Sequence, residues 1–138
     1  MPFAGHPNVG TAWVLRDRGP TLRFEEIAGL VEVEIAGDIA TIAAPQPLSL
    51  GAEMPAELLA GCVGLAPSDI VTAHHRPVIA SVGNSFLIAE VTGAALTKAS
   101  PAVDRFRAAH PEFPHLGPNR LPVYLYVREH DSLRARMF

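Results

Sequence analysis

Between Asn8 and Arg16 the chain carries Val9, Ala12, Trp13, Val14 and Leu15, apolar side chains that spread round a helix and do not form one stripe. A helix apolar nearly all round is buried on nearly all sides. A segment this short needs other elements to bury it, so the pattern predicts a helix over 8–16 running through the middle of a curved sheet. Pro7 suits the first helical position, where its fixed φ helps and its missing N–H costs nothing. Asp17-Arg18-Gly19-Pro20 then stops the helix.

The strands for such a sheet follow directly. Leu22 and Phe24 alternate with Arg23 and Glu25, and Val31, Val33 and Ile35 alternate with Glu32 and Glu34. This is the period-two pattern of strands with one wet face. Gly37-Asp38 is a turn into Ile39–Ala44, and the proline-marked connector Pro45–Gly51 divides the chain. On this reading 1–50 belong to an N-terminal lobe, made of the central helix 8–16 plus strands, and 51–138 belong to a C-terminal lobe.

In the second part a helix is expected from Pro55 to about Val63, closed by Gly64 and Pro67. Ile70 to Val91 reads as two or three strands broken near Pro77 and Gly83-Asn84. Gly93 to Ala109 is helical in character, with Ser100-Pro101 either starting a new turn or splitting it in two. Pro111 to Pro122 reads as loop, Val123–Val127 as a strand, and Glu129–Asp131 as the turn into Leu133–Phe138. The class is α+β. Both ends look cut: the chain starts just before a helix that needs walls and stops in mid-strand, so two incomplete lobes are expected.

Composition excludes several functions. At 138 residues, with 49% apolar and 18% charged residues, the chain is globular in character. A net charge of −3, with Arg and Lys scattered, gives no electrostatic case for a nucleic-acid partner. The single cysteine, Cys62, allows no internal disulfide or cysteine zinc site, and its apolar surroundings mark it as a small buried hydrophobe. The N-terminus has no basic stretch followed by an apolar core, and no apolar run nears the roughly 20 residues of a membrane helix. A cytoplasmic protein without a membrane partner is expected.

Phosphate-loop, dinucleotide, zinc-protease and serine-hydrolase motifs are absent. The histidines are His6, His74, His75, His110, His115 and His130. If their segment is a strand, His74 and His75 point to opposite faces and cannot easily share a metal. His110 and His115 lie in or beside the proline-rich loop, and no metal site is expected. Glu32 and Glu34 share a strand face, which reads as solvated more readily than as a catalytic pair. For Arg134 and Arg136 an anion clamp stands against a wet face in the same way.

Gly5-His6-Pro7 stands apart because of its position. Free backbone N–H groups and the helix dipole at a helix mouth favour an anion such as a carboxylate. Gly5 permits close approach of a ligand, and an imidazole there can donate or relay a proton near neutral pH. Local chemistry alone leaves two readings open, a functional histidine and a helix-capping one.

The run Pro2-Phe3-Ala4-Gly5-His6-Pro7-Asn8-Val9-Gly10-Thr11-Ala12 resembles the Phe-x-Gly-His-Pro-x-x-Gly-Thr-Ala signature of the PhzF family, the phenazine-biosynthesis isomerase group. Weaker similarity continues through Leu22–Val31, Ser81-Val82-Gly83 with Phe86-Leu87-Ile88, and Leu133–Phe138. The resemblance implies a diaminopimelate epimerase-like fold, with curved sheets wrapped around central helices in two like lobes and a site in the cleft between them. It also implies a cofactor-independent acid/base isomerase, usually a homodimer, acting on a small carboxylate-bearing substrate; the type reaction isomerises dihydro-3-hydroxyanthranilate. By this resemblance His6 assists proton transfer and Gly5 lines the substrate pocket.

Epimerases of the fold place a catalytic cysteine near this motif, and Cys62 does not match that position. The family's main proton carrier is a glutamate on an earlier segment, and an aspartate in a later Asp-x-Ala-Thr-Gly-Ser-Ala-like segment completes the site. Neither segment is found in this sequence, so the expectation is an isomerase part that is incomplete or inactive by itself. The alternative is a non-catalytic small-molecule-binding or self-associating remnant.

Overall fold

Period-two alternation builds the first sheet. In the computed structural model, which describes residues 2–116 and 121–138, β1 (Thr21–Glu26), β2 (Gly29–Ala36) and β3 (Ile39–Ile42) pair antiparallel in the order β1-β2-β3. The register sets Leu22 against Val33, Phe24 against Val31, Val33 against Ile42 and Ile35 against Ala40. All these side chains therefore share one face. Val31, Val33 and Ala12 are fully buried there, with Phe3, Leu22, Phe24, Ile35, Ala40 and Ile42 packed around them. On the other face Arg23 Nε donates to Glu32 Oε2 at 2.8 Å across the strands. Glu32 and Glu34 thus lie on a solvated face.

The helix that packs on this sheet, α1, runs Gly5–Val14, three residues earlier than its sequence pattern indicates. Pro7 is its third residue, still within the first turn, where a missing N–H leaves no intrahelical bond unmade. The expectation of burial on nearly all sides fails. Only Asn8 and Ala12 are buried, and Val14 is 74% exposed. Three strands cover one flank of a helix, and Asn8 and Ala12, four residues apart, define that flank. Val9, Trp13 and Leu15 are half-buried beside it, and Val14 is left in solvent.

The chain divides into two compact units, Met1–Ser49 with Ser81–Asn84, and Leu50–Ala80 with Ser85–Phe138. The second has a mixed sheet built from β4 (Ser49–Glu53), β6 (Val78–Ser81), β7 (Ser85–Val91), β8 (Val123–Arg128) and β9 (Leu133–Met137) in that order, with the short β5 (Ile70–Val71) paired to the end of β7. β7 and β8 are parallel, and the connection between them carries α3 (Gly93–Lys98) and α4 (Val103–Ala109). Pro101 therefore splits the helical stretch in two. The stretch read as loop holds two short 3-10 turns, His110–Glu112 and Pro114–Leu116; its remaining part, 117–120, and the His115 side chain lie outside the described residues.

Leu87, Ala89 and Val91 of β7 and Val123, Leu125 and Val127 of β8 point to one side. There they meet Leu59, Cys62 and Val63 from the region of α2 (Ala56–Cys62), together with Ala95 and Leu96 of α3. Gly64, at φ +66°, ends α2: the N–H of Leu65 donates to Ala60 O at 2.9 Å, closing the last turn. Cys62 is fully buried in this core, as its sequence context indicates. Burial pushes its thiol up, with the nearby Arg105 charge opposing. The thiol is thus held protonated and inert.

Candidate functional site

The segment entering α1 is held at three points. Pro2 O accepts the N–H of Ala28 at 3.0 Å, and Phe3 O accepts a hydrogen bond from Asn84 Nδ2. Gly83, at φ +140°, lies so close that a Cβ there would come within 2.9 Å of Phe3 Cβ. Ala4 is then the N-cap, extended at φ −144° and ψ 107°, and no side chain caps the helix. The helix-cap reading of His6 is therefore excluded.

Gly5 and His6 open the first turn, bringing backbone N–H groups that have no acceptor within the helix. A Cβ at Gly5 would meet Ile42 Cδ1 at 3.2 Å, so glycine lets α1 sit close on β3. The His6 side chain is exposed and has no hydrogen-bond or ion-pair partner among the described residues.

Two residues here were missed from the sequence. Asn8, 5% exposed, donates from Nδ2 to Ala4 O at 2.9 Å and to Glu26 Oε1 at 2.6 Å. Glu26, the last residue of β1, thereby carries its carboxylate toward the start of α1, where the dipole favours negative charge. Its Oε2 is buried and has no hydrogen-bond partner among the described residues. A cavity of about 560 Å³ lies beside this end, lined by Pro2, Ala4, Glu25, Glu26 and Ile27. One signal was present in the sequence: Asn8 stands a single helical turn before Ala12, on the flank that proved to be buried.

The other candidates fall elsewhere. His74 and His75 lie on the bend between β5 and β6 and not on a strand, although they do reach different partners. Arg136 is exposed but is no anion clamp: its Nη1 donates to the carbonyls of Leu96, Thr97 and Ala99 at 2.9, 3.2 and 2.9 Å. Arg134 pairs with Glu129, and His130 with Asp131. Among the described residues, no group of three or more metal-ligating side chains converges, and no helix is long and apolar enough to cross a membrane.

No family model matches the chain. Among solved structures it is similar to a phenazine biosynthesis protein of the PhzF family from Bacillus anthracis, with a TM-score of 0.72 and 24% identity. That alignment covers all of this chain and 49% of the other. The chain has the PhzF-like fold. A predicted epimerase from Pseudomonas aeruginosa is also similar, with a TM-score of 0.67 and 23% identity over 94% of this chain and 46% of its own. The chain thus spans about half the length of the solved structures it matches. The sheet-on-helix arrangement around α1 belongs to this PhzF-like fold, and Gly5-His6-Pro7 occupies the first turn of that helix.

Proposed function

We propose that this chain supplies the His6 end of a proton-transfer site that isomerises a small carboxylate-bearing metabolite without a cofactor. One observation carries the reading: an exposed, unengaged imidazole sits beside the open N–H groups of a helix start, in a chain whose fold matches PhzF-like structures along its whole length. The substrate carboxylate accepts from the backbone of Gly5 and His6. His6 assists as a proton leaves a carbon next to a conjugated system and the C–H bond breaks. The electron pair shifts along that system, and the proton returns to a different carbon.

Glu26 already shares the positive end of α1, so an incoming anion is bound less tightly there than at an unoccupied helix start. His6 has no acid or base in contact with it among the described residues, and full turnover draws on groups besides those named here. Location in the cytoplasm, a role in phenazine-type biosynthesis and assembly as a homodimer belong to the same proposal. Sedimentation showing only a 14.7 kDa species would remove the dimer from it.

The reaction is tested in D2O with dihydro-3-hydroxyanthranilate, following ring deuteration by NMR. Exchange is expected, and His6→Ala should slow it by about 10²- to 10⁴-fold. Exchange that is equally fast in the variant would overturn the role of His6. The absence of an acid/base partner beside His6 among the described residues favours a second reading, a non-catalytic binding module. It predicts that 3-hydroxyanthranilate, which is aromatic and does not isomerise, binds and is weakened by His6→Ala while no deuteration occurs.

A further inference from the structure

A cavity of about 820 Å³ lies in the second unit and shares no lining residue with the start of α1. Part of its wall is a single helical face. Val103, Phe106 and Arg107 of α4, with His110 just beyond the helix end, are spaced so that they line up along one side. Leu121 and Pro122, which lead into β8, and Phe138, which follows β9, add to the lining.

These walls are anchored. Leu121 is buried in the core of this unit, and Phe106 and Phe138 pack against that core. Phe138 is held further by its backbone: its N–H donates to Val123 O at 3.0 Å, and its O accepts from the Val123 N–H at 3.1 Å. The Arg136 guanidinium, tied to the end of α3, stands 5.0 Å from the centre of the Phe138 ring. Val103, by contrast, is 56% exposed, an apolar side chain on the cavity edge left largely in water.

The chemistry of the lining defines a ligand class. Valine, leucine, proline and phenylalanine side chains offer neither donor nor acceptor, so a polar group placed among them loses its water without replacement. An apolar tail carries no such cost, and cavities of about 300–1,000 Å³ suit small ligands. Arg107 brings a permanent positive charge, and no carboxylate side chain joins it among the described lining residues. Its partner is Asp104 at 3.5 Å on the same helix, and both side chains are largely exposed. An exposed pair of this kind is held weakly, so the guanidinium can turn to grip a ligand carboxylate through two parallel hydrogen bonds.

We propose that this cavity binds a monocarboxylate with an unsubstituted apolar tail, the tail lying among Val103, Phe106, Leu121 and Phe138 and the headgroup on Arg107. The site is separate from the one proposed at His6. It rejects 3-hydroxyanthranilate, whose amino and hydroxyl groups would lie unpaired against the apolar walls.

Titration of the full chain with octanoate, followed through the backbone amides by NMR, tests the site. Saturable shifts are expected at 101–110 and 121–123. Decanoate should bind about four- to sixteenfold more tightly, a gain of about two- to fourfold for each of its two extra methylenes. Arg107→Gln should weaken octanoate about three- to tenfold and leave octanol, which has the same tail and no charge, unchanged. Val103→Asp puts a carboxylate on the cavity edge at the first position of α4, where the helix dipole accommodates it, and should also weaken octanoate in a folded protein. His6→Ala should leave octanoate binding as it is, so failure here is distinct from failure at His6. No saturation at millimolar octanoate, shifts confined to other residues, or full octanoate affinity in Arg107→Gln would overturn the proposal.

Discussion

At the scale of single residues, glycines separate what the fold requires from what it tolerates. Gly64 sits at φ +66°, and a Cβ there would come 3.1 Å from the carbonyl oxygen of Ser100. Gly10 lies within α1, and a Cβ there meets nothing within 4 Å. Gly64→Ala should therefore cost about 1–3 kcal/mol, from left-handed backbone strain plus a contact that backbone cannot easily yield. Gly10→Ala should stabilise by about 0.5–1 kcal/mol, because alanine loses less entropy in a helix. Urea denaturation of both variants checks the contrast in sign. The same scale shows why the site was only half legible. His6 and Gly5 announce themselves in the sequence by their place before a helical run. Glu26 and Asn8 do not, because their meeting depends on how the end of β1 returns to the start of α1, a long-range contact that no local spacing encodes.

At the scale of elements, alternation served well where one face of a sheet was wet and served poorly where an element was enclosed by others. β1 to β3 were readable because Arg23, Glu32 and Glu34 mark the outer face. The apolar circumference of α1 implied full enclosure, yet only the Asn8–Ala12 flank is covered. The division of 93–109 at Pro101 was an open alternative, and proline chemistry decided it. Arg136 shows what patterning misses altogether. It occupies an outward position on β9, but it serves the end of α3, a helix of only six residues with three orphaned carbonyls nearby. Arg136→Ala should cost about 1–2 kcal/mol, less than a fully buried charged hydrogen bond because the residue is largely solvated. Arg136→Lys should recover only part of this, since an ammonium lacks the planar fork. Thermal melts of the two variants would measure it, and no loss in either would mean that water serves those carbonyls equally well.

At the scale of the whole chain, the two units differ sharply in how much they bury. Among the described residues, the core of the first holds three buried apolar side chains, Ala12, Val31 and Val33, whereas the cluster in the second holds twenty. Fully burying an aliphatic side chain contributes roughly 1.5–3 kcal/mol, so local stability must be uneven. Low-stability regions open without the rest of a protein unfolding, and the first unit has the smaller core to resist it. Native-state hydrogen exchange should accordingly find the β1–β3 amides exchanging through openings that leave β7 and β8 protected. Protection factors in β7 and β8 should exceed those of β2 by at least tenfold. The difference has a functional side, because the Gly5–His6 helix start belongs to the less stable unit. A ligand bound there stabilises whichever form it binds, so a saturating carboxylate probe such as 3-hydroxyanthranilate should slow exchange in β1–β3 and leave β7–β8 unchanged. Equal protection in the two sheets would refute the uneven core. Protection spread evenly over both by the probe would show that the two units open together.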